Sequence, residues 1–424
     1  MNYMENNPIK DVIGFTHAPC HNDALAMMEL SVYDWAACAI AGQNEPLSKI
    51  LADEVKSNGG RCESTYVGGG LGPAAGAALV NGTMSHALDY DDTHFGHIGH
   101  TSVAVVPAAL AMAQKYRCNW HAFIEAALIG SEAAVRIGQW LGREHYQVGF
   151  HQTATSGAFG ACIAALRLAG ADEEQTRNGI GLVASMASGL KAQFGTMAKP
   201  LNAGLAAQAG VDAAQWAMAG MTATDDGLLA FAATHHGQFD QTAFHELGTE
   251  WRMLDVSHKF HACCHGLHAM CEALGQSKRQ VGDIESITVF THPRWLTVCN
   301  QPAPDTGLGV KFSFAHVAAM VLTGVDTSAI ASFSNDVATN DHLVALRQKV
   351  SVISDPDLSE MQSRVITNGQ GAEVLFHDLA ARLPLDIRRE RLQSKADGLI
   401  GAERRDALWQ INDLTDFATL LGSA

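Results

Sequence analysis

Basic residues are scarce in this chain. It carries 28 Lys+Arg against 44 Asp+Glu, a formal charge of -16 over 424 residues. A protein that grips nucleic acid or an anionic membrane needs a basic face, so neither is expected as a partner. Long apolar runs are also lacking. The longest, such as Val103–Ala113, falls well short of the ~20 residues needed to cross a bilayer. The opening segment Met1–Lys10 is polar and mixed in charge, with no apolar signal segment behind it. Internal repeats, low-complexity tracts and long linkers are missing too. Cysteine is present in an odd number, nine, which fits a reducing compartment better than a disulfide framework. The expectation is a soluble, cytoplasmic protein. Apolar residues make up 47% and charged ones 17%, which excludes a disordered chain and supplies a sizeable core.

The first two thirds reads as helix after helix. Leu25, Met28, Val32, Trp35, Ala36 and Ala39 recur at helical spacing, with Asp23 as an N-cap and Gly42 as a stop. Phe123, Ala126, Ala127, Gly130, Ala133, Ala134 and Ile137 form a second stripe. Asp172 opens another helix, with Glu173 and Glu174 where the helix dipole favours negative charge. Ala203–Gly220 continues the pattern. Small apolar residues let helix axes approach closely, which predicts a compact bundle. Composition shifts after about residue 265. Ile284–Phe290 and Lys349–Ile353 read as strands. Arg364–Thr367 and Ala372–Leu375 flank Asn368-Gly369-Gln370-Gly371, a hairpin signal. Helical patterns lie at Phe314–Leu322 and His342–Gln348, and the tail Ala402–Leu421 reads as helix returning to the first body.

Four clusters could carry chemistry. Asp89 to Ser102 holds three carboxylates and three histidines, types that tune one another for proton transfer or bind a metal. Gly149–Gly160 carries His151 into an Ala-rich helix and could present backbone N–H groups to an anion. Phe194–Gly204 places Lys199 ahead of a small-residue helix. Lys259–His268 holds three histidines and two cysteines, but not a paired C-x-x-C array, so a structural zinc is not expected. Taken singly, each has a plainer reading: a capped surface loop, an N-capping segment, an exposed lysine, a buried helix start with inert cysteines.

Taken in order, the clusters resemble the MmgE/PrpD family. The resemblance lies in Ser85-His86-Ala87-Leu88-Asp89-Tyr90-Asp91-Asp92-Thr93, Gly149-Phe150-His151, Thr155-Ser156-Gly157-Ala158-Phe159-Gly160, Gly195-Thr196-Met197-Ala198-Lys199-Pro200-Leu201, and Lys259 with Cys263, Cys264 and His268. It implies a mainly α fold: a large all-helical domain, residues 1–265 plus 395–424, with an inserted smaller α+β lid domain, residues 266–394. It also implies a homodimer that needs no metal or other cofactor, with an active site between the domains. The matching site positions are Asp89, Thr93, His100, His151, Lys199 and Lys259. Two departures stand out. Phe95–Gly99 is one residue longer than the usual spacing, with Thr101 where proline is common, so His97 competes with His100. His265 stands where arginine is frequent. Trp295 is a candidate lid residue.

The family's reactions move a proton at carbon beside a carboxylate. Fixed cations can stabilise the charge that builds there. The expectation is a cofactor-independent lyase on a small di- or tricarboxylic acid, with Asp89, His100, His151 and Lys259 catalytic and Thr93, Lys199 and His265 binding substrate. Dehydration, of the 2-methylcitrate dehydratase type, comes first. Epimerisation of an iminodisuccinate-like acid and cis-aconitate-type decarboxylation follow. From other classes, a metal-dependent hydrolase would use His94, His97, His100 and the neighbouring aspartates, and a non-catalytic homologue would only bind carboxylates.

Overall fold

Small residues set the helix spacing. Helices Trp120–Gln147 and Gln152–Ala169 cross where Gly130 meets Gly160. A Cβ on either would stand within 2.5 Å of the other's carbonyl oxygen. Helices Ala74–His86 and Ala198–Met218 cross likewise at Gly82 and Gly204. The apolar stripes read from the sequence therefore pack backbone to backbone.

The structure, a computed structural model, describes residues 8–423. Residues 1–7, most of the polar opening segment, lie outside the described residues. The chain divides into two compact units. One runs through His258 and takes up the chain from Ile400; the other is Lys259–Leu399.

The first unit is helical, with one short antiparallel hairpin, Ser64–Tyr66 against Gly70–Gly72, that the sequence reading did not include. Helix Asn22–Gly42 starts one turn earlier than its apolar stripe. His21 is its N-cap, and Asp23 sits in the first turn instead of capping. By length and composition alone this helix could cross a membrane. Within the fold 78% of its most apolar window is already buried. Trp35 packs on Phe417 of the tail helix Leu414–Gly422, and Tyr33 Oη donates to the Ile411 carbonyl at 2.9 Å. Asp172 caps helix Glu173–Ala184 in a reciprocal box with Gln175.

The second unit holds a four-stranded sheet in the order Val350–Ser354, Ser286–Thr291, Gln362–Gly369, Gly371–Asp378. The first pair is parallel and the others antiparallel. The Asn-Gly-Gln-Gly hairpin forms as predicted: Gly369 pairs with Gly371, whose φ of 93° suits glycine. Helix Phe314–Leu322 has the predicted limits, with Ser313 accepting from His316 N as its cap.

Candidate active site

Helix Ala74–His86 ends at a histidine, and the chain then turns sharply. Asp89 adopts a left-handed conformation, φ 51°, which aspartate tolerates better than most residues. That turn folds Asp89, Asp91 and His100 back beside His86. Asp91 is fully buried between two imidazoles. Its Oδ1 lies 2.9 Å from His86 Nδ1 and its Oδ2 2.6 Å from His100 Nδ1. A carboxylate only accepts, so both rings donate from Nδ1. Burial pushes the Asp91 carboxyl up. The facing His100 and then His86, with their hydrogen bonds, outweigh it and hold the group well below the carboxylate range. His100 Nε2 stands 3.3 Å from Asp89 Oδ1, and the same oxygen is 2.6 Å from Lys199 Nζ. Each nitrogen of His100 therefore faces a carboxylate oxygen.

Lys199 is the second residue of helix Ala198–Met218. Its ammonium lies 5.4 Å from the centre of the Phe194 ring. His151 packs edge-on against that ring from 5.0 Å and stacks on His86 at 6.0 Å. Burial, then the neighbouring His86, Lys199 and His100, hold the His151 imidazole well below its usual range, against the opposing Asp89. The Nδ1 of His151 lies 3.2 Å from Asn202 Nδ2. Asp89, His100, Lys199 and His151 thus share one neighbourhood. Thr93 is four residues from Asp89 and pairs its backbone with Ser257, at 2.9 and 2.8 Å. Lys259 and His265 belong to the other unit, both buried. There the His265 ring lies 4.4 Å from His268.

The third carboxylate, Asp92, does scaffold work. Its Oδ1 accepts from Ser102 N at 3.1 Å at the start of helix Ser102–Lys115, and Ser102 Oγ donates to Oδ2. The hydroxyls after His151 are also spent locally. Thr153 Oγ1 accepts from His100 N, and Ser156 Oγ donates to Gln152 O. The histidine trio of the hydrolase reading does not assemble. His94 Nε2 bonds Arg252 O at 3.0 Å, and His97 Nε2 bonds Ser156 Oγ at 2.7 Å.

Sequence reasoning left out His86, Asp91 and Asn202 as site residues. All three lay inside quoted motifs, but nothing in their spacing gave them partners. Among the described residues, one set has the geometry to hold a metal ion: His86, Asp89, Asp91 and His100. Both Asp91 oxygens already take imidazole N–H groups, and the Lys199 ammonium already pairs with Asp89 Oδ1 at 2.6 Å. An entering metal would have to displace these donors against a like charge. The Lys259–His268 run forms no such set among the described residues.

Buried imidazoles make the fold acid-sensitive. Burial pushes His97 down to about 3 and His145 to about 4, and lowers His151 and His268 well below their usual range. Unfolded histidines take up protons near pH 6.5, and these buried ones do not. Acidification below that point therefore favours the unfolded chain. Melting temperature should fall steadily from pH 7 to 5; a flat profile would show that these rings titrate normally. Asp91 adds a second loss below about pH 4, as acid protonates a carboxyl that the fold holds ionised.

Residues 12–243 match the profile of the MmgE/PrpD N-terminal domain, and residues 261–395 that of the MmgE/PrpD C-terminal domain. The chain belongs to the MmgE/PrpD family. Among its family relatives is the cis-aconitate decarboxylase-like protein oryM of Aspergillus oryzae, 27% identical over 337 residues, 71% of this chain and 69% of that protein. The cis-aconitate decarboxylase of Aspergillus terreus is 27% identical over 283 residues, 62% of this chain and 58% of its own length. The human cis-aconitate decarboxylase is 24% identical over 303 residues, 67% of this chain and 62% of its own. The match spans less than two thirds of these last two MmgE/PrpD relatives.

Proposed function

We propose that this chain is a lyase that removes carbon dioxide from a small unsaturated di- or tricarboxylic acid of the cis-aconitate type. The observation that carries this reading is His100, flanked by the carboxylates of Asp91 and Asp89 beside the Lys199 ammonium. The site is rich in protons, and the unpartnered Nε2 of His86 is fully buried. His100 donates at Nδ1, Nδ1 of His151 is occupied, and Asp89 is paired. Dehydration, placed first on the sequence, needs a base to take an α-proton as well as an acid for the hydroxyl. Decarboxylation needs chiefly the acid. The named relatives point the same way.

The substrate's carboxylate competes with Asp89 for Lys199 Nζ. The carbon–carbon bond to another carboxylate breaks and carbon dioxide leaves. The bonding pair spreads into the adjacent double bond and onto the remaining carboxylate, where Lys199 stabilises the charge. His100 gives its Nε2 proton to carbon, keeps Nδ1–H on Asp91, and regains a proton from solvent. We assign the His151 Nε2–H and Thr93 to substrate contacts. Lys259 and His265 are proposed as further contacts on the strength of the family resemblance.

Proton NMR of cis-aconitate in deuterated water is the direct test. Loss of carbon dioxide with one deuterium on the new carbon–hydrogen bond is expected. Water loss from citrate or methylcitrate, or inversion of iminodisuccinate, would overturn the reading. A chelator should leave turnover unchanged. Lys199→Ala removes a charge-assisted contact of about 1.5–3 kcal/mol, so kcat/KM should fall roughly 10- to 100-fold. Unchanged kinetics would remove Lys199 from the mechanism.

A further inference from the structure

His151 holds one ring proton, so which nitrogen carries it decides what the ring can do. We infer that Asn202 is a positioning residue that fixes this tautomer, keeping Nδ1 of His151 as an acceptor and presenting Nε2–H to the site. Asn202 Nδ2 lies 3.2 Å from His151 Nδ1 and 3.4 Å from the Leu190 carbonyl oxygen. A backbone carbonyl has no proton to give, so the amide group facing it must be the NH2. The same NH2 faces Nδ1, and Nδ1 must therefore be the unprotonated nitrogen.

The surrounding backbone holds this clamp in place. His151 N donates to the Gly189 carbonyl at 2.9 Å, which sets the 189–190 segment against the ring. Gly189 has φ 147°, and a Cβ there would stand 2.7 Å from Ala154 Cβ and 3.5 Å from Asn202 Cγ. No side chain fits between the amide, the ring and the next helix. On its other side Asn202 borders a cavity of about 500 Å³ with Gln193, Gln208 and Asp212, which leaves room for substitutions at 202. The charged and titratable groups facing His151 are His86, Lys199, His100 and Asp89. None of them bonds Nδ1, so the tautomer is left to Asn202.

The test is nitrogen NMR of the full chain with ring-labelled histidine, with His151→Gln identifying the signal. Wild type should show a protonated Nε2 and an unprotonated Nδ1. Asn202→Asp supplies only acceptors and should move the proton to Nδ1. Asn202→Leu should give a mixture of tautomers. A wild-type proton on Nδ1 would overturn the inference without any variant having to fold, and so would an unmoved tautomer in both variants. The kinetic arm rests on the proposed reaction. With cis-aconitate, Asn202→Asp should lower turnover on the order of 10-fold or more, because Nε2 no longer donates. Full turnover with a flipped tautomer would sever the clamp from catalysis. The spectrum decides the tautomer even if the substrate assignment fails.

Discussion

His100→Ala is expected to lower turnover by roughly 10²- to 10⁴-fold, the range typical of a lost general acid. The variant removes a ring whose two nitrogens both face carboxylates, and leaves Lys199 in place to bind substrate. KM should therefore move far less than kcat. His97→Ala is the control, because the two residues are rivals for the same role in the sequence. His97 is fully buried, holds Ser156 through Nε2, and is pressed against Gly99 and Gly138. Its removal opens a cavity and takes a donor from the Ser156 hydroxyl, which keeps its bond to the Gln152 carbonyl, at a cost of about 2–4 kcal/mol in stability. Activity per folded molecule should survive. Rates at saturating substrate, paired with thermal melts, separate the two. A large kcat loss in His97→Ala with normal melting would reverse the assignment.

The lengthened loop that makes these two histidines rivals also shows where sequence reading stops. The added residue is absorbed in a turn closed by His94 N to Gly99 O at 2.8 Å, with Ile98 left-handed at φ 56°. That turn points His97 inward and leaves His100 for Asp91. Spacing alone carries no record of a left-handed isoleucine. Local features were legible because their causes are local: the Phe314–Leu322 helix from its apolar period, the strand turn at Gly369–Gly371 from backbone freedom, the Asp172 box from capping chemistry. Asp89, His100, Lys199 and His151 were legible as types in motifs. Their supports were not. His86 meets Asp91 only because Asp89 reverses the chain, and Asn202 meets His151 from 51 residues away. Such contacts are products of the tertiary fold, which no period or cap encodes.

A comparable effect on stability is expected at Glu132. This carboxylate is buried in helix Trp120–Gln147 one turn before Arg136, with Arg136 Nε 2.6 Å from its Oε1. It also accepts from Arg252 N at 3.0 Å and Met253 N at 2.8 Å. Arg136 donates to the carbonyls of Ala243, His245 and Glu250. Burial raises the Glu132 carboxyl, opposed by Arg136 and by the two backbone N–H groups. Together the pair fastens the 243–253 segment to the helix, and four residues on, Ser257 pairs with Thr93. Glu132→Ala leaves a buried guanidinium without its counter-charge, which costs about 3–5 kcal/mol. At roughly 2–4 °C per kcal/mol for a body of this size, the melting temperature should drop by about 10 °C. Removing both charges should hurt less than removing one. The double variant Glu132→Ala/Arg136→Met is therefore expected to recover part of the loss, the signature of an interaction and not of two independent sites. If the double variant instead melts at the sum of two large losses, the segment is held by packing and the ion pair is incidental.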